Sequence, residues 1–248
     1  MNTLIVFSHP EPQSFNGELK NIAIETLQCL GHSVEVSDLY AENFDPVERP
    51  SHFPDRSVVD TFQPLTEQRQ AFQRQTLPTD VQRELARLER ADLVILQFPL
   101  WWHSLPAMLK GWFDRVMVYG GVYSGSMRYD RGYFRGKRAI CAVTTGSPAA
   151  AFSPHGRGGD MAKLMWPMHC SLYYLGMDVL APQVIHGVQG GELSYQNETE
   201  FRHRLKQETS NWADRLTHLT SDAPIPFSGW ADWDDNGVLK AEHPLAWR

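Results

Sequence analysis

Leu93, Val94, Ile95 and Leu96 form an apolar run without polar alternation, and this run constrains the fold more than any other stretch. Such a strand hides both of its faces, so the sheet that contains it must be covered on both sides. Around it, strand-like and helix-like segments take turns. Residues 4–7 read as a strand, and 14–31 follow with Phe15, Leu19, Ile22, Ala23, Leu27 and Leu30 at helical spacing, Ser14 as cap and Gly31 as terminator. Strands are expected at 33–39, 92–98, 138–145 and 179–186, and helices at 79–90, 105–117, 161–175 and 198–219, with Pro106 suited to a first turn. Alternation of this kind implies right-handed crossovers, hence an α/β fold with an open five-stranded parallel sheet. The expected division is a domain at 1–220, interrupted by a polar excursion at 40–77, and an extension at 221–248 that packs on the domain or on a partner subunit.

With 248 residues, 42% of them hydrophobic and 21% charged, the chain can bury a substantial core. A net charge of −6 without any Lys/Arg block argues against nucleic acid and acidic membranes as partners. Cys29, Cys141 and Cys170 show no CxxC spacing; their apolar surroundings predict core thiols rather than a zinc cage or a disulfide framework. A strand beginning at Thr3 leaves no room for a signal peptide, and no apolar stretch approaches the roughly 18–20 residues that span a bilayer, so a cytoplasmic location without membrane insertion is expected. The DWDDNG segment lacks the twelve-residue spacing and terminal Glu of a calcium loop, so no metal site is expected.

In open α/β sheets, ligands bind beyond the carboxyl ends of the strands, where the strand order reverses. Three loops have that position: SHPEPQSFN, FPLWWHS and TTGSPAAAFSPHGRGGD. No GxGxxG follows the first strand; His9 and a polar loop leading into a helix N-terminus stand there instead, an arrangement that can hold phosphate. In the second loop Pro99 and Pro106 limit motion, while Trp101 and Trp102 offer stacking surfaces with few rotatable bonds. Backbone N–H groups at 100–102, with Thr144, Thr145 and Gly146 opposite, complete a slot suited to a flat heterocycle such as isoalloxazine.

These loops lie within a longer resemblance. His9 with Ser14-Phe15-Asn16, ADLVILQFPLWW, LPAMLKGWFDRV, YDRGYFRGKRA, TTGS, GGDM and MWPM occur in the order found in the NAD(P)H:quinone oxidoreductases of the DT-diaphorase type, which are flavodoxin-like flavoproteins. The chain resembles that family over most of its length, more weakly into IPFSGWADWDDNGVL. The resemblance implies FAD in preference to FMN, NADPH or NADH as hydride donor, and two-electron reduction of a quinone or similar flat acceptor by a ping-pong route. It also implies a homodimer with its active site at the subunit interface. Residue by residue, His9, Ser14, Phe15 and Asn16 would hold the phosphates and ribityl chain. Pro99, Leu100, Trp101 and Trp102 would edge the ring, with Thr144, Thr145 and Gly146 opposite, and Tyr123, His103 and Phe152 would face the substrate.

The departures bear on mechanism. Phe152 and Gly158 stand where the family has a tyrosine and a histidine that handle charge on the reduced cofactor, and Gly125 replaces a second pocket tyrosine. His155 and Arg157 lie close enough in sequence to act as catalytic groups instead, the guanidinium by electrostatic stabilisation. Other functions compatible with these features are an azo or nitro reductase of the FMN type, an ancillary flavoprotein subunit of a potassium-efflux system, and a cofactor-free interaction module.

Overall fold

The computed structural model describes residues 1–56, 58–189, 196–241 and 243. Strands β1 (Asn2–Phe7), β2 (Ser33–Asp38), β3 (Leu93–Pro99), β4 (Arg138–Thr144), β5 (Asp178–Val179) and β6 (Gln183–Ile185) build one parallel sheet. Its order is β2-β1-β3-β4-β5, with β6 also on β4, so the order reverses between β1 and β3. The helices are α1 (Phe15–Cys29), α2 (Pro64–Arg74), α3 (Thr79–Arg90), α4 (Ala107–Val116), α5 (Met161–Tyr174) and α6 (Glu198–His218).

Every residue of β3 is buried, and its side chains alternate between two layers. Leu93 and Ile95 join Leu19 and Leu27 of α1 with Trp212 and Leu216 of α6. Val94, Leu96 and Phe98 join Leu88 of α3, Leu109 and Trp112 of α4, and Met165 and Leu172 of α5. Ser14 caps α1 by accepting from Gly17 N–H, and Gly31 takes a φ of +78°, as its terminator role requires.

The expected single strand at 179–186 is two pieces. Val179 pairs with Ala139 and Gln183 with Ala142, so three residues, Leu180 to Pro182, lie opposite two of β4. One extra residue makes a bulge, at a place where Pro182 has no N–H to give. The polar excursion contains a helix, α2, whose buried positions Glu67, Gln68 and Ala71 are too polar to mark it by pattern. Gln68 accepts from Tyr119 N–H at 3.2 Å and donates to Glu48 at 3.0 Å, while buried Arg115 donates to Asp45 O at 2.7 Å, which ties the excursion to α4. The cysteines correct another expectation: Cys141 alone is fully buried, its thiol pushed up to about 12 by burial, whereas Cys170 is half-buried and Cys29 on the last turn of α1 is exposed.

Past α6 the chain returns to α5. Phe227 stacks on Tyr173 at 4.4 Å and 9°, Tyr173 Oη donates to Ser228 O at 2.9 Å, and Trp230 lies beneath the guanidinium groups of Arg128 and Arg131. Asp234 Oδ1 accepts from the N–H groups of Asn236 and Val238, so DWDDNG builds a turn that closes by Trp233–Leu239 pairing. Residues 242 and 244–248 of the extension lie outside the described residues.

Candidate active site

The carboxyl ends of β1, β3 and β4 meet through one buried chain of hydrogen bonds. Gln97 Nε2 donates to Asn16 Oδ1 at 2.9 Å, and Asn16 Nδ2 donates to Thr144 Oγ1 at 2.8 Å. Asn16 is therefore a brace from α1 to β4, its side chain spent on the protein. At the same end Ser8 Oγ and Gln97 Oε1 are buried without a partner among the described residues. Burying a polar atom unpaired costs about 1–3 kcal/mol, so both are ready to bond an incoming ligand.

Beyond β3 the chain makes a tight reversal. Trp101 and Ser104 exchange N–H···O bonds of 3.2 and 3.0 Å, and the two residues between them, Trp102 and His103, have φ of +50° and +60°. That pattern is a type I′ turn, normally built with Asn and Gly; bulky residues in the left-handed region cost on the order of 1–2 kcal/mol each. The turn presents Trp102 95% exposed and Trp101 40% exposed, with the His9 ring 5.8 Å from that of Trp101. The strain goes to exposing two indoles at the rim, which makes this turn the candidate binding edge.

The N–H groups expected to serve a ligand at 100–102 are partly committed. Leu100 N–H donates to Thr144 O at 2.8 Å and Trp101 N–H to Ser104 O, so among the described residues the unspent donors are those of Trp102 and His103. Across from them, Thr145 N–H donates to Ile185 O at 3.0 Å while Gly146 N–H has no partner among the described residues. His9 Nδ1 lies 3.0 Å from both the O and the N of Glu11, which shapes the loop, and Ser14, Phe15 and Asn16 open α1 beside it. Phe152 closes a 3₁₀ turn at Ala149–Phe152, and His155 and Arg157 are exposed on the loop that follows.

Tyr123 lies elsewhere. It forms a cluster with Tyr119 and Tyr174, at 5.4 and 5.7 Å, and lines a cavity of about 940 Å³ together with Ser104, Leu105, Phe113 and Trp166. Burial raises its phenol pKa above the ordinary value. None of His9, Trp101, Trp102, Thr144, Thr145 and Gly146 lines this cavity, which meets the turn only at Ser104 and Leu105.

One residue at the rim escaped the sequence. His186 follows Ile185, half-buried, with Nδ1 2.9 Å from Thr145 Oγ1 and its ring stacked on Phe152 at 5.5 Å. A strand read as running through residue 186 hides it; the bulge and the actual end at Ile185 bring it to the rim.

The family model described as a flavodoxin-like fold matches residues 1–209. Ribosyldihydronicotinamide dehydrogenase (quinone) of Mus musculus is 40% identical over 224 residues, covering 90% of this chain and 93% of that protein. NAD(P)H dehydrogenase (quinone) 1 of Cavia porcellus is 36% identical over 235 residues, covering 94% of this chain and 82% of that one. Among solved structures, a Klebsiella pneumoniae chain provisionally named a quinone reductase superposes with a TM-score of 0.87 at 35% identity, covering 99% of this chain and 98% of its own. The chain belongs to the NAD(P)H:quinone oxidoreductase family of flavodoxin-like proteins.

Proposed function

We propose that this protein is a flavin-dependent NAD(P)H:quinone oxidoreductase that transfers two electrons as hydride by a ping-pong route. The observation that carries the reading is the strained turn of Trp102 and His103, set where the strand order reverses between β1 and β3. The rim fits a flavin by its own chemistry: exposed indoles for the ring faces, unspent N–H groups at Trp102, His103 and Gly146 for the polar edge, and unpartnered Ser8 Oγ and Gln97 Oε1 below. Ser14 and the first N–H groups of α1, at Phe15 and Asn16, would hold the phosphates, with His9 beside them. Pro99 and Leu100 fix the root of the turn, and Thr144 and Thr145 stand opposite. FAD rather than FMN follows the family resemblance. When bound, the flavin supplies the hydride acceptor and donor; the chain's residues stack, align and keep water from the reacting faces.

His103 and Phe152 belong to the acceptor's slot in this reading, and Arg157 offers its exposed guanidinium to negative charge at the ring edge, with His155 next to it. Arg157→Ala is expected to slow flavin reduction in single turnover while leaving the cofactor bound. The catalytic unit is 1–220, and a homodimer would bring Tyr123 to the partner's site. Supporting this, Val47, Leu65 and Trp166 stand exposed on the walls of the Tyr123 cavity, an apolar face of the kind that a second copy covers. Unpaired cysteines suit a reducing cytoplasm. Purified protein should be yellow, release FAD on heating, sediment as a dimer, and oxidise NADPH or NADH with a benzoquinone. A colourless protein that gains no flavin on incubation with FAD or FMN would refute the reading.

A further inference from the structure

The substitutions Phe152 and Gly158 leave the slot without the family's titratable pair, and the backbone closes the vacated place. A Cβ built on Gly158 would lie 2.9 Å from Ala151 O and 3.0 Å from the Phe152 ring, so a side chain there would require Phe152 to move. The Phe152 ring stacks instead on the imidazole of His186, with an interplanar angle of 26°. Phe152 and Gly158 are thus one packing unit, and His186 is its third member.

The position of His186 follows from strand register. Thr144 pairs with Ile185, so the next residues, Thr145 and His186, are neighbours across the end of the sheet. Thr145 Oγ1 is 2.9 Å from Ser147 O and 2.9 Å from His186 Nδ1. A carbonyl only accepts, so both bonds form together only when the hydroxyl donates to Ser147 O and Nδ1–H donates to the hydroxyl. The neutral ring then carries its hydrogen on Nδ1 and leaves Nε2 as an acceptor.

Arg204 of α6 fixes the backbone beneath, donating to His186 O at 2.9 Å and to Gly187 O at 2.6 Å. Gly187 N–H and Val188 N–H donate in turn to Ser147 O and Thr145 O, each at 2.9 Å. The titratable groups facing the imidazole are Glu208 and Arg204 on α6; Thr145, Ser147 and Phe152 are its uncharged neighbours. Burial lowers its pKa below 6.5, Glu208 opposes that, and Arg204 adds to it, so the ring is neutral at pH 7.

We propose that His186 is the positioning residue of the flavin slot: through its bond to Thr145 and its stack on Phe152, it fixes Thr145 and so sets the unspent Gly146 N–H against the ring edge. This rests on the flavoprotein reading above. It assigns to the residue just past the last strand a task that the family places on the loop after β4.

The test uses the flavin-loaded protein with His186→Phe, which keeps a ring on Phe152 but loses the donor, and His186→Asn, which offers an N–H near the place of Nδ1 and does not titrate. Bleaching of the flavin by NADPH in single turnover should slow by about tenfold in the Phe variant, equal to about 1.4 kcal/mol, and return to within about twofold of wild type in the Asn variant. The flavin midpoint potential should climb with acidification below pH 6.5 more steeply in wild type than in the Asn variant, because only the imidazole gains charge. A Phe variant that bleaches at the wild-type rate, an Asn variant as slow as Phe, or identical potential profiles would each overturn the role of His186. Wild-type protein that takes up no flavin fails at the earlier reading, which distinguishes the two failures.

Discussion

His169 on α5 is buried, and burial pushes its pKa down to about 4. The unfolded chain takes up this proton near the ordinary 6.5, whereas the folded protein resists until about 4, so stability is fully present above 6.5 and falls as pH drops through that window. The loss should reach about 3 kcal/mol, read from urea midpoints at a series of pH values, and His169→Leu should flatten the slope. Trp102 makes the opposite case. At 95% exposure it contributes little packing, so Trp102→Ala should shift unfolding free energy by no more than about 0.5 kcal/mol, while weakening flavin affinity severalfold in a fluorescence titration. Trp102, His9 and Ser14 were legible in the sequence because each stands at a strand end or helix cap that periodicity locates. Asn16 was legible as a rim residue but not as a brace, since its partners Gln97 and Thr144 lie 81 and 128 positions away.

Helices and strands with apolar periodicity were readable to within a residue or two, α3 at Thr79–Arg90 among them. What escaped has a physical cause. Polar side chains on the buried side of α2 bond to partners elsewhere in the chain, Gln68 to Glu48 and to the Tyr119 N–H and Glu67 to the Val58 N–H, and hydropathy carries no trace of that. Fully buried Glu84 of α3 is a second instance: it accepts from Ser37 at 2.6 Å, from Trp112 Nε1 at 2.9 Å and from Arg87 at 2.6 Å, joining β2, α3 and α4. At the contact between α4 and the excursion, a Cβ on Gly111 would overlap Pro46 O. Gly111→Ala should therefore push the 44–49 segment off α4 and cost about 1–3 kcal/mol, seen as a lowered denaturant midpoint.

At the scale of the whole molecule, a doubly covered sheet with ligand loops at its carboxyl rim was derivable from strand and helix alternation alone. The role of the tail was not, because its aromatic residues could equally cover a partner or their own domain. Phe227, Trp230 and Trp233 cover Tyr173 and Tyr129, and Tyr129 lies 5.0 Å from Tyr174 of the Tyr123 cavity. Truncation after Asp222 should lower the unfolding free energy on the order of 3 kcal/mol, and limited proteolysis should then cut at 128–133 first. No helix among the described residues is long and apolar enough to cross a membrane. The single surplus residue between β5 and β6 has a consequence out of proportion to its size, since side chains along a strand point alternately to either layer. Were the chain to continue the β5 ladder without that bulge, Ile185 would come beside Thr145 and the imidazole would move one step past it, so that the same set of residues, miscounted by one, would compose a pocket with no histidine on that threonine.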